Sequence, residues 1–151
     1  MKKLVTCEEM KNLDSATIHK IGVASEVLME RAALKVVEET EKYLEKNERI
    51  LVVCGSGNNG GDGIAIARLF YLKGIRAEFY MAGNKEKMTR ETTLQYKIAT
   101  GYHVPEVNNP DWSEYTTIVD AVFGVGLARP IEGHYAKIIH EMNSARAKKI
   151  A

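Results

Sequence analysis

The sequence predicts an α/β domain in which a parallel sheet carries helices on both faces, in three αβα layers. Short β-branched runs alternate with amphipathic stretches of roughly ten to fifteen residues, the pattern of parallel strands joined by crossover helices. The run Arg49–Cys54 is apolar along almost its whole length, which is typical of a strand buried on both faces. The chain has 151 residues and shows no repeat or linker, so we expect one domain.

Two helices are predicted before this strand. Thr6 and Glu9 have the spacing of a capping box, which opens a first helix that Gly22 ends. Ser25 is expected to cap a second, longer helix whose apolar residues recur at helical spacing as far as Leu44.

The remaining elements alternate along the chain. In order they are a helix from Ile64 to Gly74, a strand at 76–81, a helix at 86–100, a short edge strand at 103–104, a turn around Trp112, a strand at 116–122, a helix at 135–143 and the start of a strand at 148–151. In the 86–100 helix, Met88, Leu94 and Ile98 are expected to face the sheet.

Composition excludes several classes of partner. Lys and Arg number 21 against 20 for Asp and Glu, so there is no electrostatic case for nucleic acid or an anionic membrane. No apolar run approaches the roughly 20 residues that span a bilayer, and no signal peptide is indicated. The two cysteines lie far apart without metal-ligand spacing. We therefore expect a cytoplasmic protein.

A glycine-rich loop at residues 55–63 is the main functional signal. In open α/β sheets, ligands bind beyond the carboxyl ends of strands, where this loop lies. Its G-x-G-x-x-G spacing from Gly55 formally matches the dinucleotide fingerprint. However, the loop is expected to extend to its last glycine, with Asp62 as a helix cap and a poor neighbour for a pyrophosphate. Glu78 lies inside its strand, whereas a ribose-binding acid belongs at a strand end. Turn and cap formation alone is the alternative function of the loop.

A second glycine-rich loop, residues 124–133, is expected at the same edge of the sheet. Asp120 precedes it among apolar neighbours, where a carboxylate is costly unless it is hydrogen-bonded, paired or bound to a cation. Asp120 is therefore a candidate cation ligand or proton-transfer group, or it only shapes the turn. With the Asn59 amide it offers oxygen ligands suited to a hard cation. Arg129 suits a phosphate, or is an exposed arginine without a role.

These loops resemble the YjeF N-terminal domain family, the NAD(P)H-hydrate epimerases. The resemblance is carried by Gly-x-Gly-Asn-Asn-Gly-Gly-Asp-Gly from Gly55, by Val-Asp-Ala-x-Phe-Gly-x-Gly-Leu-x-Arg-Pro from Val119, and by residues 28–33. It implies a Rossmann-like fold and interconversion of the R and S forms of hydrated NADH or NADPH, written NAD(P)HX, as a repair reaction. It also implies a homodimer, with the first helices as a plausible contact surface, and a free or fused ADP/ATP-dependent NAD(P)H-hydrate dehydratase as functional partner.

The resemblance also implies the roles of individual residues. Asn59 and Asp120 would ligate a potassium ion. Asp120 and Asp62 are the candidates for proton transfer, since inverting a carbon that bears a hydroxyl needs one group to take a proton and another to return it. The residues implied to contact the substrate are Asn58, Asn59, Gly60, Gly61, Asp62, Gly124, Val125, Gly126, Leu127, Ala128, Arg129 and Pro130.

Two other functions stay open from the sequence. One is an NAD(P)-binding dehydrogenase, and the other is a non-catalytic YjeF-like module for binding or dimerisation, as in an mRNA-decapping scaffold. Family members continue from a segment like 149–151 into a motif of the type Val-Asp-Ile-Pro-Ser-Gly. We therefore expect residues 1–151 to form one YjeF N-terminal-like domain that is incomplete at its C-terminus.

Overall fold

The computed structural model describes residues 4–128 and 130–151. The helices are α1 (Cys7–Ala16), α2 (Ser25–Glu41), α3 (Asn58–Leu72), α4 (Arg90–Gly101) and α5 (Gly133–Ser144). The strands are β1 (Arg49–Cys54), β2 (Arg76–Met81), β3 (Thr117–Ala121) and β4 (Lys148–Ile150). They form one parallel sheet in the order β2-β1-β3-β4. The predicted α/β class is confirmed.

Helices cover both faces of this sheet. The core on one face includes side chains of α2, α3 and α4, and the core on the other includes side chains of α5. Alternate residues of the central strand β1 enter the two cores: Val52 lies in the first and Val53 in the second, and both are fully buried. This double burial explains why the strand is apolar at consecutive positions, and the three-layer arrangement is confirmed.

The N-terminal capping box is present as predicted. Thr6 Oγ1 accepts a hydrogen bond from the Glu9 N–H (3.2 Å), and the Glu9 carboxylate accepts one from the Thr6 N–H (2.7 Å). α1 then passes into a π-helical turn, Thr17–Ile21, and Gly22 ends it in the left-handed region with φ of 87°. The chain can take this conformation without strain because glycine has no Cβ.

The predicted role of Ser25 as the cap of α2 is wrong. Ser25 is the first helical residue, and the N-cap is Ala24, which supplies no side-chain hydrogen bond. The Ser25 hydroxyl instead donates to the Glu91 carboxylate (3.0 Å) and so joins α2 to α4. α2 also ends at Glu41, before Leu44. None of the described helices is long and apolar enough to cross a membrane.

α4 begins later than predicted, and the residues that it buries are not the predicted ones. The chain makes a 3-10 turn at Lys85–Lys87 before Thr89 caps the helix. The fully or almost fully buried positions are Thr92, Gln95 and Ala99, whereas Leu94 and Ile98 are only half-buried. The small Thr92 faces the glycine-rich start of α3, since a Cβ on Gly61 would lie 2.9 Å from the Thr92 hydroxyl. Close approach of the two helices therefore takes precedence over burying the larger apolar residues.

The predicted edge strand at 103–104 does not form. His103 has φ of 57°, in the left-handed region, and the Val104 N–H donates to the Ala99 carbonyl (3.0 Å). These residues therefore close the end of α4. The sheet gains only a single bridge at this side, between Phe79 and Glu106. The turn around Trp112 is confirmed, as a 3-10 turn at Trp112–Glu114.

Candidate functional site

A cavity of about 840 Å³ lies beyond the carboxyl ends of β1 and β3, where both glycine-rich loops were expected. Its position confirms that the two loops share one edge of the sheet. The lining residues are Lys11, Asp14, Ser56, Gly57, Asn58, Asn59, Asp62, Val122, Phe123, Gly124, Val125, Gly126, Leu127, Ala128 and Tyr135.

The first loop is shorter than the sequence predicted. Gly57 is the N-cap of α3, and its carbonyl accepts hydrogen bonds from the N–H groups of Gly60 (2.9 Å) and Gly61 (3.3 Å). The second half of the glycine-rich segment is therefore the first turn of the helix. Asp62 is the fifth helical residue, so its predicted role as a helix cap is wrong.

Close packing explains the glycines inside this first turn. A Cβ on Gly60 would lie 1.9 Å from the Gly55 carbonyl oxygen, and a Cβ on Gly63 would lie 2.5 Å from the Ala121 Cβ. Gly60 and Gly61 are buried and do not belong to the cavity lining. Their implied contact with a substrate stays a prediction.

Asn59 joins the two loops directly. Its side-chain Nδ2 donates a hydrogen bond to the Phe123 carbonyl (3.0 Å). Gly124 packs closely against the same side chain, since a Cβ added to Gly124 would lie 3.3 Å from the Asn59 Cβ. The sheet brings these segments together because Cys54 at the end of β1 is paired in register with Ala121 at the end of β3.

Asp120 lies on β3 just before the second loop and is half-buried. Its Oδ1 accepts a hydrogen bond from the Val122 N–H (3.0 Å), which shapes the start of the loop. Val122 lines the cavity, whereas Asp120 is not among its described lining residues. Asp120 is therefore hydrogen-bonded to a lining residue and is not itself part of the described lining.

Asp62 lines the cavity and has a perturbed acidity. Partial burial, and to a lesser degree the negative charge of Asp14, raise the pKa of Asp62 to about 6. This pKa is closer to neutral pH than that of an ordinary carboxyl, which suits a group that exchanges protons.

Sequence reasoning missed the contribution of α1 and α5. Lys11 and Asp14 of α1 lie one helical turn apart and both line the cavity, and Tyr135 of α5 lines its other side, with its ring 5.0 Å from that of Phe123. No local signal marked these residues, because Lys11 and Asp14 look like ordinary surface residues of an amphipathic helix.

The second loop contributes five consecutive residues to the lining, Gly124 through Ala128. Val125 and Leu127 are 69% and 42% exposed, so they present apolar surface to the cavity. Pro130 is exposed and is not part of the lining. Arg129 lies outside the described residues.

Comparisons with known proteins show the family to which the chain is similar. A family model described as YjeF-related protein N-terminus matches residues 25–151. A protein of Oenococcus oeni named NAD(P)H-hydrate epimerase is 48% identical over 149 residues, which cover 97% of this chain and 71% of that protein. A protein of the same name from Lentilactobacillus buchneri is 41% identical over 98% of this chain and 70% of its own length.

A solved structure is also similar in fold. The crystal structure of yeast ynu0 superposes with a TM-score of 0.81 at 24% sequence identity, covering 96% of this chain and 66% of that one. At this identity the likeness concerns the fold. It supports the Rossmann-like description of the sheet and its helices.

Proposed function

Because this chain belongs to the family described as YjeF-related protein N-terminus, we propose that it is an isomerase that interconverts the R and S forms of NAD(P)HX. The observation that carries the proposal is that both glycine-rich loops, joined by the Asn59–Phe123 hydrogen bond, line one cavity. Its volume of about 840 Å³ falls within the range of roughly 300–1,000 Å³ that is usual for small-molecule sites.

The proposed substrate contacts follow from the lining. The first two N–H groups of α3, on Asn58 and Asn59, have no partner within the helix and are suited to the phosphates of a dinucleotide. Val125 and Leu127 offer apolar surface to a ring. Lys11 supplies a positive charge among the described lining residues.

Asn59 and Asp120 are proposed as potassium ligands, and their chemistry fits that ion. Asn59 uses its Nδ2 to bind Phe123, which leaves the amide Oδ1 as an acceptor. Asp120 uses Oδ1 to bind Val122, and its Oδ2 accepts no hydrogen bond from the described residues. A donor set made only of oxygens suits a hard cation. The ion would supply positive charge beside the carboxylates of the site.

Proton transfer is proposed to run through Asp62, with Asp120 as the second group. Inversion is possible if the hydroxyl leaves as water and water adds to the opposite face of the ring. One group then donates a proton to the leaving hydroxyl, and another removes a proton from the incoming water. The protons given and taken are equal in number, and no oxidant or reductant is needed. Asp62 lines the cavity and has its pKa raised to about 6. Asp120 accepts a hydrogen bond from the N–H of the lining residue Val122.

The dehydrogenase alternative has less support at the residue that would bind ribose. Glu78 is the third residue of β2, away from the carboxyl end, and it forms an ion pair with Arg49 (2.9 Å). Its carboxylate is therefore bound to the first residue of β1, at the edge of the sheet opposite the cavity. Two of the three fingerprint glycines are explained by close packing, because a Cβ on Gly55 would lie 2.0 Å from the Val122 carbonyl oxygen and a Cβ on Gly60 would lie 1.9 Å from the Gly55 carbonyl oxygen.

A homodimer, a functional partner and a cellular location are also proposed. A homodimer through α1 and the following turn is consistent with the exposure of Met10 (48%), Leu13 (54%) and Ile21 (74%). A cytoplasmic location is consistent with two free cysteines. An ADP/ATP-dependent dehydratase that uses the S form would be the functional partner. Residues 1–151 are proposed to act as one YjeF N-terminal-like domain.

The proposed function is tested by following R-NADHX and R-NADPHX by HPLC or NMR with this chain and potassium, and with a version extended at its C-terminus. We expect R/S exchange well above the uncatalysed rate, and Asp120→Asn is expected to lower it. The absence of acceleration by both versions would overturn the proposal. That outcome, combined with a stable dimer, would favour the non-catalytic module instead.

A further inference from the structure

Thr92 reaches the candidate site from a neighbouring helix without lining the cavity. It lies on α4 and is fully buried. Its Oγ1 donates a hydrogen bond to the carbonyl of Gly57 (2.8 Å), the N-cap of α3. A buried threonine on one helix thus binds the residue from which the site-bearing helix begins.

The direction of the neighbouring hydrogen bond follows from proton counting. A threonine hydroxyl has one proton, and that of Thr92 is used on the Gly57 carbonyl. The contact between the hydroxyls of Thr89 and Thr92 (2.8 Å) must therefore have Thr89 as donor. Thr89 Oγ1 in turn accepts from the Thr92 N–H (3.2 Å). The result is a relay from Thr89 through Thr92 to Gly57.

A second contact from α4 holds the preceding peptide. The Thr89 N–H donates to the Ser56 carbonyl (3.0 Å). The carbonyls of Ser56 and Gly57 are thus both directed at α4. In a trans peptide the C=O and the following N–H point in opposite directions. The N–H groups of Gly57 and Asn58 are therefore directed away from α4, and both residues line the cavity.

We propose that Thr92 is a positioning residue for the site: its hydrogen bond to Gly57 fixes the turn that presents the first N–H groups of α3 to the substrate. The proposal rests on the proposed function, because it assigns those N–H groups to the dinucleotide. Thr92 acts through Gly57 and does not touch the substrate itself.

The test compares Thr92→Val, which keeps the shape and removes the hydroxyl, with Thr92→Ser, which keeps the hydroxyl. Thr92→Val leaves the Gly57 carbonyl with the N–H groups of Gly60 and Gly61, so the fold is expected to survive. Thr93→Val is the matched control, since Thr93 is exposed and its hydroxyl bonds only the Thr89 carbonyl in its own helix (2.9 Å).

We expect Thr92→Val to raise KM for NAD(P)HX about tenfold, the loss typical of one hydrogen bond, with a smaller change in kcat. Thr92→Ser and Thr93→Val should stay within about threefold of the parent chain. Equal impairment of Thr92→Val and Thr92→Ser would indicate a packing role only and would overturn the proposal, as would an unchanged KM in Thr92→Val.

A second measurement keeps this proposal separate from the proposed function. Amide hydrogen exchange is followed without any substrate at Gly60 and Gly61, whose N–H groups donate to the Gly57 carbonyl. Faster exchange in Thr92→Val, but not in Thr92→Ser or Thr93→Val, supports the fixed turn even if the parent chain shows no epimerase activity. Exchange that is equal in all variants overturns it.

Discussion

The side-chain amide of Asn59 donates a hydrogen bond to the backbone carbonyl of Phe123 at 3.0 Å, across 64 residues of sequence. The bond joins the first turn of α3 to the loop that follows β3. Because both ends line the same cavity, this side chain directly links the two halves of the candidate site.

Replacing Asn59 is expected to separate these halves. Asn59→Asp keeps the size and the oxygen atoms but loses the Nδ2 donor, and it places a carboxylate against the Phe123 carbonyl. We expect epimerase activity to fall by about tenfold or more, since a charge-bearing acceptor replaces a donor at this contact. The measurement is R/S exchange at saturating potassium.

The potassium dependence separates the two proposed roles of Asn59. Asn59→Asp should still respond to potassium, because it retains ligand oxygens, whereas Asn59→Ala should lose both the bond and the response. Asn143→Ala is the control, since Asn143 is exposed on α5. Full activity in Asn59→Ala would contradict the bridging role.

Gly60 and Gly57 are expected to differ sharply in their tolerance of a methyl group. A Cβ at Gly60 would lie 1.9 Å from the Gly55 carbonyl oxygen, whereas a Cβ at Gly57 meets nothing within 4 Å. Gly60→Ala should therefore destabilise the fold by about 3 kcal/mol or more and Gly57→Ala by less than about 1 kcal/mol. Urea unfolding measures both, and comparable losses would contradict the packing described for α3.

The raised pKa of Asp62 predicts a pH-dependent cost to stability. Its pKa is about 6 in the folded chain, above the ordinary 3.8, so the folded state holds its proton more tightly than the unfolded state. Below about pH 4 both states are protonated and there is no cost. As pH rises from about 4 to 6 the unfolded state ionises first, so the folded state loses stability, and the full cost is present above about pH 6.

Asp62→Asn should remove this cost. We expect the variant to be more stable than the parent chain by roughly 1–2 kcal/mol at pH 7.5, a value that allows for solvent screening, and to show little gain near pH 4. The same substitution should strongly reduce epimerase activity, because the proton-exchanging group is lost. Unfolding free energies across this pH range provide the check, and a pH-independent difference would contradict the raised pKa.

Asp14→Asn is expected to change the pKa of the Asp62 carboxyl through the loss of the Asp14 charge. Burial is the larger cause of the raised pKa of Asp62, and the Asp14 charge is the smaller one. Removing that charge should lower the pKa of Asp62 without restoring its ordinary value. An NMR titration of the Asp62 carboxyl measures the change, and an unmoved titration would show that α1 does not approach the cavity in solution.

Lys11 is expected to contribute charge rather than structure. It lies on exposed α1, lines the cavity, and precedes the range matched by the family model. Lys11→Gln should raise KM for NAD(P)HX about three- to tenfold at low salt, with kcat little changed, and the difference should shrink as salt screens the charge. Lys20→Gln, on an exposed lysine outside the lining, is the control. An equal effect of both variants would contradict a local role.

Sequence patterns predicted the order of elements because each is coded by local chemistry. The capping box at Thr6, the apolar run of β1 and the alternation of strands with helices all depend on residues close together in the chain. Patterns failed where a neighbouring element decided the outcome. The inward face of α4 is set by close approach to Gly61, and Ser25 is used to bind α4 instead of capping α2.

The sequence by itself determined the parallel α/β class, the two glycine-rich loops and their common edge of the sheet, because the alternation of strands with helices along the chain and the spacing of glycines are local properties. Only the tertiary structure decided that the first loop ends at Gly57, and that Asp62 is a partly buried helical residue with a raised pKa. It also brought Lys11 and Asp14 into the cavity and directed the Thr92 hydroxyl at Gly57. These features depend on contacts between residues that are far apart in the chain, and no local pattern carries them.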